Sequence, residues 1–192
     1  SVGLALHEGS HIVHSDFELL RELKVEIASY YKINQAKLNY ASDDWNDFNS
    51  MVEKIKDLLN YVEDRRIDYL TFRSAPGYKN YYHAMYDKYF NFRVINKGLK
   101  SGEYRDASEY KSYEFRIINF TNVNTDLDAL PGLRDIYRLV DLKNISRLKT
   151  TKEALKVAFG MYDIIMENLV PKPEIPTPNP ESGEGEASEE ES

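Results

Sequence analysis

The chain contains no cysteine, so neither a disulfide framework nor a thiolate metal ligand is open to it. Any metal would have to be held by histidine and carboxylate, and an intracellular, cytoplasmic setting is the default expectation. No apolar run reaches the 18 residues of a membrane span. The opening Ser1-Val2-Gly3-Leu4-Ala5-Leu6 lacks the basic region and cleavage site of a signal peptide. Basic residues never gather into a block; lysines and arginines alternate with acids, which excludes a nucleic-acid footprint. Proline is scarce until residue 171, after which five fall within ten residues.

That last stretch also distorts the charge. Of the formal net charge of −7, residues 171–192 carry −6, from seven glutamates and one lysine, so residues 1–170 are close to neutral. With almost nothing apolar and much like charge, 171–192 cannot offset its ordering entropy and is expected to be a disordered acidic linker. Residues 1–170 are expected to form one mainly α domain, for which 42% apolar residues and 15 tyrosines in the chain supply core material. A chain that opens inside a helix and ends in such a tract reads as an excerpt of a longer protein.

The chemistry begins at His7-Glu8-Gly9-Ser10-His11, an H-E-x-x-H pattern inside the apolar run of residues 4–13. On a helix His7 and His11 lie one turn apart on one face, about 6 Å between Cβ atoms, as two imidazoles sharing a zinc ion require. Glu8 would flank the metal and take the proton from the bound water, whose pKa zinc lowers to about 7. Leu4, Ala5, Leu6, Ile12 and Val13 imply a largely buried segment, where unpaired imidazoles are costly. Gly9 and Ser10 would leave room beside the metal.

Ser15-Asp16-Phe17-Glu18 reads as a capping box with Ser15 as N-cap, opening a helix to about residue 31 with the stripe Phe17, Leu20, Leu23, Ile27, Tyr30. A long helix is expected from Ser42 or Asp43 to about Phe72, because Trp45, Phe48, Val52, Ile55, Leu59 and Val62 step by threes and fours. Continued, that stripe turns Glu63, Arg66 and Ile67 inward. A buried carboxylate needs a cation, so Glu63 is the expected third zinc ligand. Asp64, about 100° round the helix, is its rival. Asp64 and Asp68 could equally form a solvated face or orient a histidine.

Pro76-Gly77 ends that helix, and Tyr78, Tyr81, Tyr82, His83, Met85, Tyr86, Tyr89 and Phe90 follow on another. One of Tyr78, Tyr82 and His83 could donate to a developing oxyanion. Asn96-Lys97-Gly98 and Lys100-Ser101-Gly102 mark a loop. Helices are expected over residues 103–120, 133–142 and 151–169, the last opened by the capping box Thr150 to Glu153. His14 reads as a polar residue at a helix junction.

Taken together, H-E-G-S-H and Asn60-Tyr61-Val62-Glu63-Asp64-Arg65-Arg66-Ile67-Asp68 resemble gluzincin-like zinc metallopeptidases of bacteria and phages. These are joined through an acidic linker to a von Willebrand A-like domain related to the T subunit of cobaltochelatase. The resemblance spans residues 4–90. It implies a zincin-like helical peptidase core lacking its N-terminal part and acting on peptide or protein substrates in a bacterial or phage-infected cell. His7, His11 and Glu63 would hold zinc, and Glu8 would be the general base. It also implies work beside AAA+ ATPases, and hence an alternative function as a non-catalytic zinc-binding adaptor.

Overall fold

A single long helix, α4 (Asp43–Ser74), is the spine on which the other elements are laid. Ser42 caps its start by accepting a hydrogen bond from the Trp45 amide, which satisfies one of the amides that no helical carbonyl can reach. The expected stripe is the buried face: Phe48, Val52, Ile55, Leu59 and Val62, then Glu63, Arg66 and Ile67, are all buried. At about 1.5–3 kcal/mol for each fully buried aliphatic side chain, tertiary packing outweighs the propensity of any residue in this helix.

The computed structural model describes residues 2–90 and 92–173, which are mainly helical and contain no strand. Preceding α4 are α1 (Val2–His14), α2 (Phe17–Arg21) and α3 (Leu23–Tyr30); following it are α5 (Lys79–Phe90) and α6 (Arg93–Lys100). The chain continues through α7 (Tyr110–Ile118), α8 (Leu133–Val140), α9 (Leu142–Ile145) and α10 (Thr151–Asn168). α10 packs along α4 with Leu155, Phe159, Tyr162 and Ile165 inward, behind the expected Thr150–Glu153 capping box. α1 lies across both α4 and α5. Among the described residues no helix is long and apolar enough to cross a membrane. The expected acidic linker falls almost wholly on residues 174–192, outside the described residues.

Several local expectations give way to packing. The N-cap of α2 is Asp16, which accepts from the Leu19 amide, because the Ser15 hydroxyl is bonded to other side chains. The expected helix to residue 31 is broken at Glu22, and its outermost stripe residues Phe17 and Tyr30 are exposed. Gly98 lies within α6 and marks a close approach instead of a turn: a Cβ there would stand 2.9 Å from the ring of Phe115. α7 starts only at Tyr110, after Tyr104 has taken a positive φ of 55°. The helix expected over 133–142 is split at Asp141, which caps α9.

The largest correction concerns α1. It buries Gly3 and Ser10 only, while Val2, Leu4, Ile12 and Val13 are 40–76% exposed. Its seat is built from close backbone approach and polar contacts. A Cβ on Gly3 would fall 2.6 Å from the Tyr81 carbonyl, and the Ser10 hydroxyl bonds Thr71 on α4 at 2.7 Å and Tyr82 on α5 at 3.3 Å. Gly9 faces open space, and Ser10 is turned to α4 and α5.

Candidate metal centre

Two helices each present residues one turn apart: His7 and His11 from α1, Asp64 and Asp68 from α4. His11 Nε2 is 2.9 Å from Asp64 Oδ1, and His7 Nε2 is 3.5 Å from the same oxygen. One donor atom from each of His7, His11 and Asp64 lies within 4.8 Å of the other two. Three atoms about 2.1 Å from a shared ion at tetrahedral angles stand roughly 3.4 Å apart, so the spacing suits zinc after small shifts of the side chains.

The far sides of the rings decide what the near sides can do. His7 Nδ1 is 2.8 Å from Asp68 Oδ1, and Asp68 is only 2% exposed. His11 Nδ1 is 2.9 Å from Ser15 Oγ, whose single proton is given to Glu63 Oε1 at 2.9 Å. The Ser15 oxygen must therefore accept, and His11 must donate from Nδ1. With a proton on each Nδ1, both Nε2 atoms of the neutral rings turn lone pairs toward a carboxylate oxygen. Lone pairs so opposed require a cation between them, either extra protons or a metal ion. Outer carboxylate or hydroxyl partners of this kind fix the tautomer of histidine ligands.

Glu63 does not join this group. It is inward, as expected, but the cation it meets is Arg66, whose Nη2 and Nε donate to its two oxygens at 2.6 and 2.9 Å. Thr151 and Ser15 donate to Oε1, leaving the carboxylate fully bonded. Asp64, 42% exposed in its side chain, is the carboxylate that faces both histidines. Asp68 is buried against His7 and is no part of a solvated face. His14 lies outside the group and contributes its carbonyl to Arg66.

Glu8 lines a cleft of about 350 Å³ together with His7 and Asp64. Tyr78, Tyr82 and His83 do not line it: Tyr78 and His83 are exposed, and Tyr82 is fully buried with its hydroxyl at Ser10. Among the residues that do line it are Arg65 and Tyr86, the latter donating to Asp68 Oδ2. Sequence reasoning passed over both, although the acid step from 64 to 68 repeats the histidine step from 7 to 11.

Hydrogen bonds to Asp64 and Asp68 raise the His7 pKa from 6.5 to about 10, against the opposing effect of burial. The metal-free protein thus carries a charged His7 at neutral pH. Because folding raises this pKa, the stabilisation is complete below about pH 6.5 and is lost as pH climbs through about 10. Urea unfolding in chelator between pH 6 and 10.5 should show a decline that His7→Gln removes; coincident profiles for the two proteins would contradict it. On the other ring, Ser15→Ala should weaken zinc binding by roughly 10- to 100-fold, as outer-shell losses typically do. Competition against a chromogenic chelator reads this directly, and an unchanged affinity would show that the hydroxyl does not orient His11.

No protein-family model, no curated protein and no solved structure matches this chain.

Proposed function

We propose that this chain is the core of a zinc-dependent peptidase, zincin-like in its H-E-x-x-H helix. The observation that carries the reading is the double constraint on the imidazoles: both Nδ1 atoms are taken by Asp68 and Ser15, so both Nε2 atoms face Asp64 Oδ1. His7, His11 and Asp64 would hold the ion, and a three-residue set leaves a position open, as catalytic zinc sites do. Zinc bound there would supply a Lewis acid that polarises a carbonyl and acidifies a water.

The chain's own residues supply the rest. Glu8, in the same cleft and making no part of the ligand set, takes the proton that the attacking water loses and can return it to the departing amine. Asp68 and Ser15 keep the rings aimed.

Elemental analysis of protein purified without chelator should give one zinc per chain, and the zinc-loaded protein should cleave members of a proteome-derived peptide library in a chelator-sensitive way. Absence of zinc removes the reading. The exposed apolar residues of α1, Ile12 and Val13 above all, favour a second one: a non-catalytic zinc-binding adaptor seated against a von Willebrand A-like domain and an AAA+ ATPase. Stoichiometric zinc with no cleavage of any peptide, with or without such an ATPase and nucleotide, would select it.

A further inference from the structure

Arg65 follows Asp64 on α4 and lines the cleft beside it. Its guanidinium carbon is 5.3 Å from the centre of the Tyr61 ring and 5.4 Å from that of Tyr86. Both rings stand within cation–π range of the guanidinium, and the Tyr61 hydroxyl meets part of its N–H edge. Nη2 is shielded from solvent and has no hydrogen-bond partner. Among the described residues no carboxylate lies within ion-pair distance of Arg65: Asp64 is turned to the histidines, and Asp68 to His7 and Tyr86. Arg66, the next residue, shows what a structural arginine looks like in this protein, with all three nitrogens bonded.

Arg65 also stands at a joint. Together with Tyr61 and Tyr86 it lines a second cavity of about 450 Å³ beyond the cleft. A guanidinium that keeps an unpaired N–H at the wall of a cleft is suited to a carboxylate, the partner that completes its hydrogen bonds with charge. The cleft wall nearby is apolar, formed by Leu4, Met85, Tyr89 and Phe90.

We propose that Arg65 binds a substrate carboxylate, and that the peptides handled by this site carry one close to the scissile bond, beside a large apolar side chain. A free C-terminus and an acidic side chain both supply this group, and the test separates them. This rests on the peptidase reading, which supplies the scissile bond.

The test uses three hydroxamates whose zinc-binding group is joined to a single residue: phenylalanine ending in a free carboxylate, phenylalanine ending in a carboxamide, and glutamate ending in a carboxamide. Calorimetry on the zinc-loaded protein should show the phenylalanine acid binding roughly 10- to 100-fold more tightly than its amide, as a charged hydrogen bond commands. In Arg65→Met that ratio should fall to about one while zinc content and affinity for the amide hold. A purely structural arginine would shift all three compounds together. Arg65→Lys, which keeps the charge but not the planar fork, should fall between and serves if the methionine variant does not fold. Tight binding of the glutamate amide, lost in the same variants, assigns the carboxylate to a side chain. Equal binding of acid and amide by the wild type overturns the proposal and leaves the peptidase reading standing. Failure of every hydroxamate to bind removes the peptidase reading, and this inference with it.

Discussion

Alanine at Glu63 or Arg66 is expected to cost about 3–5 kcal/mol of folding stability, the typical penalty for orphaning one member of a buried ion pair. Alanine at neighbouring Asp64 is expected to leave the fold standing and remove the zinc. The two outcomes differ because the two carboxylates have different partners. Glu63 and Arg66 are 2% and 1% exposed, and their bonds tie three pieces of chain together. Beyond the pair itself, Arg66 donates to the His14 carbonyl at the end of α1 and to the Lys149 carbonyl ahead of α10, while Thr151 and Ser15 donate to Glu63. Remove either charge and the other remains in a dry interior with several half-made bonds. Since a domain of this size is stable by only about 5–15 kcal/mol, a loss of 3–5 should be plain in urea unfolding of the chelated protein. Asp64 has its side chain 42% exposed and among the described residues hydrogen-bonds or pairs with the two histidines alone, whose other nitrogens keep Asp68 and Ser15, so its loss strands no buried charge. If Glu63→Ala instead folds as stably as wild type and is merely zinc-free, then Glu63 is the metal ligand and the geometry argued for Asp64 is wrong.

The contrast between these neighbours also shows what could be read in advance. The phase of α4 was legible because its core contacts run along one face, so a count by threes and fours from Trp45 reached Glu63 and Arg66 correctly. The same count held the answer to Glu63's charge: Arg66 is three residues on, along the same stripe. The expectation looked instead to zinc. For Asp68 the sequence leaves a solvated face and the orienting of a histidine both open, and the structure shows the second. α4 is covered on a second side by α1, and no periodicity within α4 announces a helix packed at an angle to its main stripe. α1 misled in the opposite sense, since apolar flanks around the histidines imply burial only if a partner covers them, and in this structure Ile12 and Val13 face outward. Gly98 followed the usual turn rule and proved to be a packing glycine, because only the fold brings Phe115 against it. The histidine pair was legible because its spacing lies within one helix, and Asp64 only as a rival to Glu63; the contacts of Ser15, Arg65 and Tyr86 were not, because they depend on which helix faces which.

Glu8→Gln is expected to retain stoichiometric zinc and to lower peptide hydrolysis by roughly 10²–10⁴-fold, the range for removing a positioned acid–base group. The carboxylate is outside the cluster formed by His7, His11 and Asp64, so its replacement by an isosteric amide takes nothing from the ligand set. Glu8 is also exposed and its neighbour Gly9 meets open space, so the substitution disturbs no packing that holds α1 in place. What the amide lacks is the lone-pair basicity to receive a proton from the attacking water and hand it to the leaving nitrogen. The loss should therefore fall on kcat, with KM nearly unchanged, because substrate contacts in the cleft are left intact. The measurement is a side-by-side digestion of the peptides that wild type cleaves, with zinc content determined on the same preparations. A variant that keeps zinc and cleaves at the wild-type rate would show that Glu8 is a bystander, and the proton would then have to be carried by another group in the cleft.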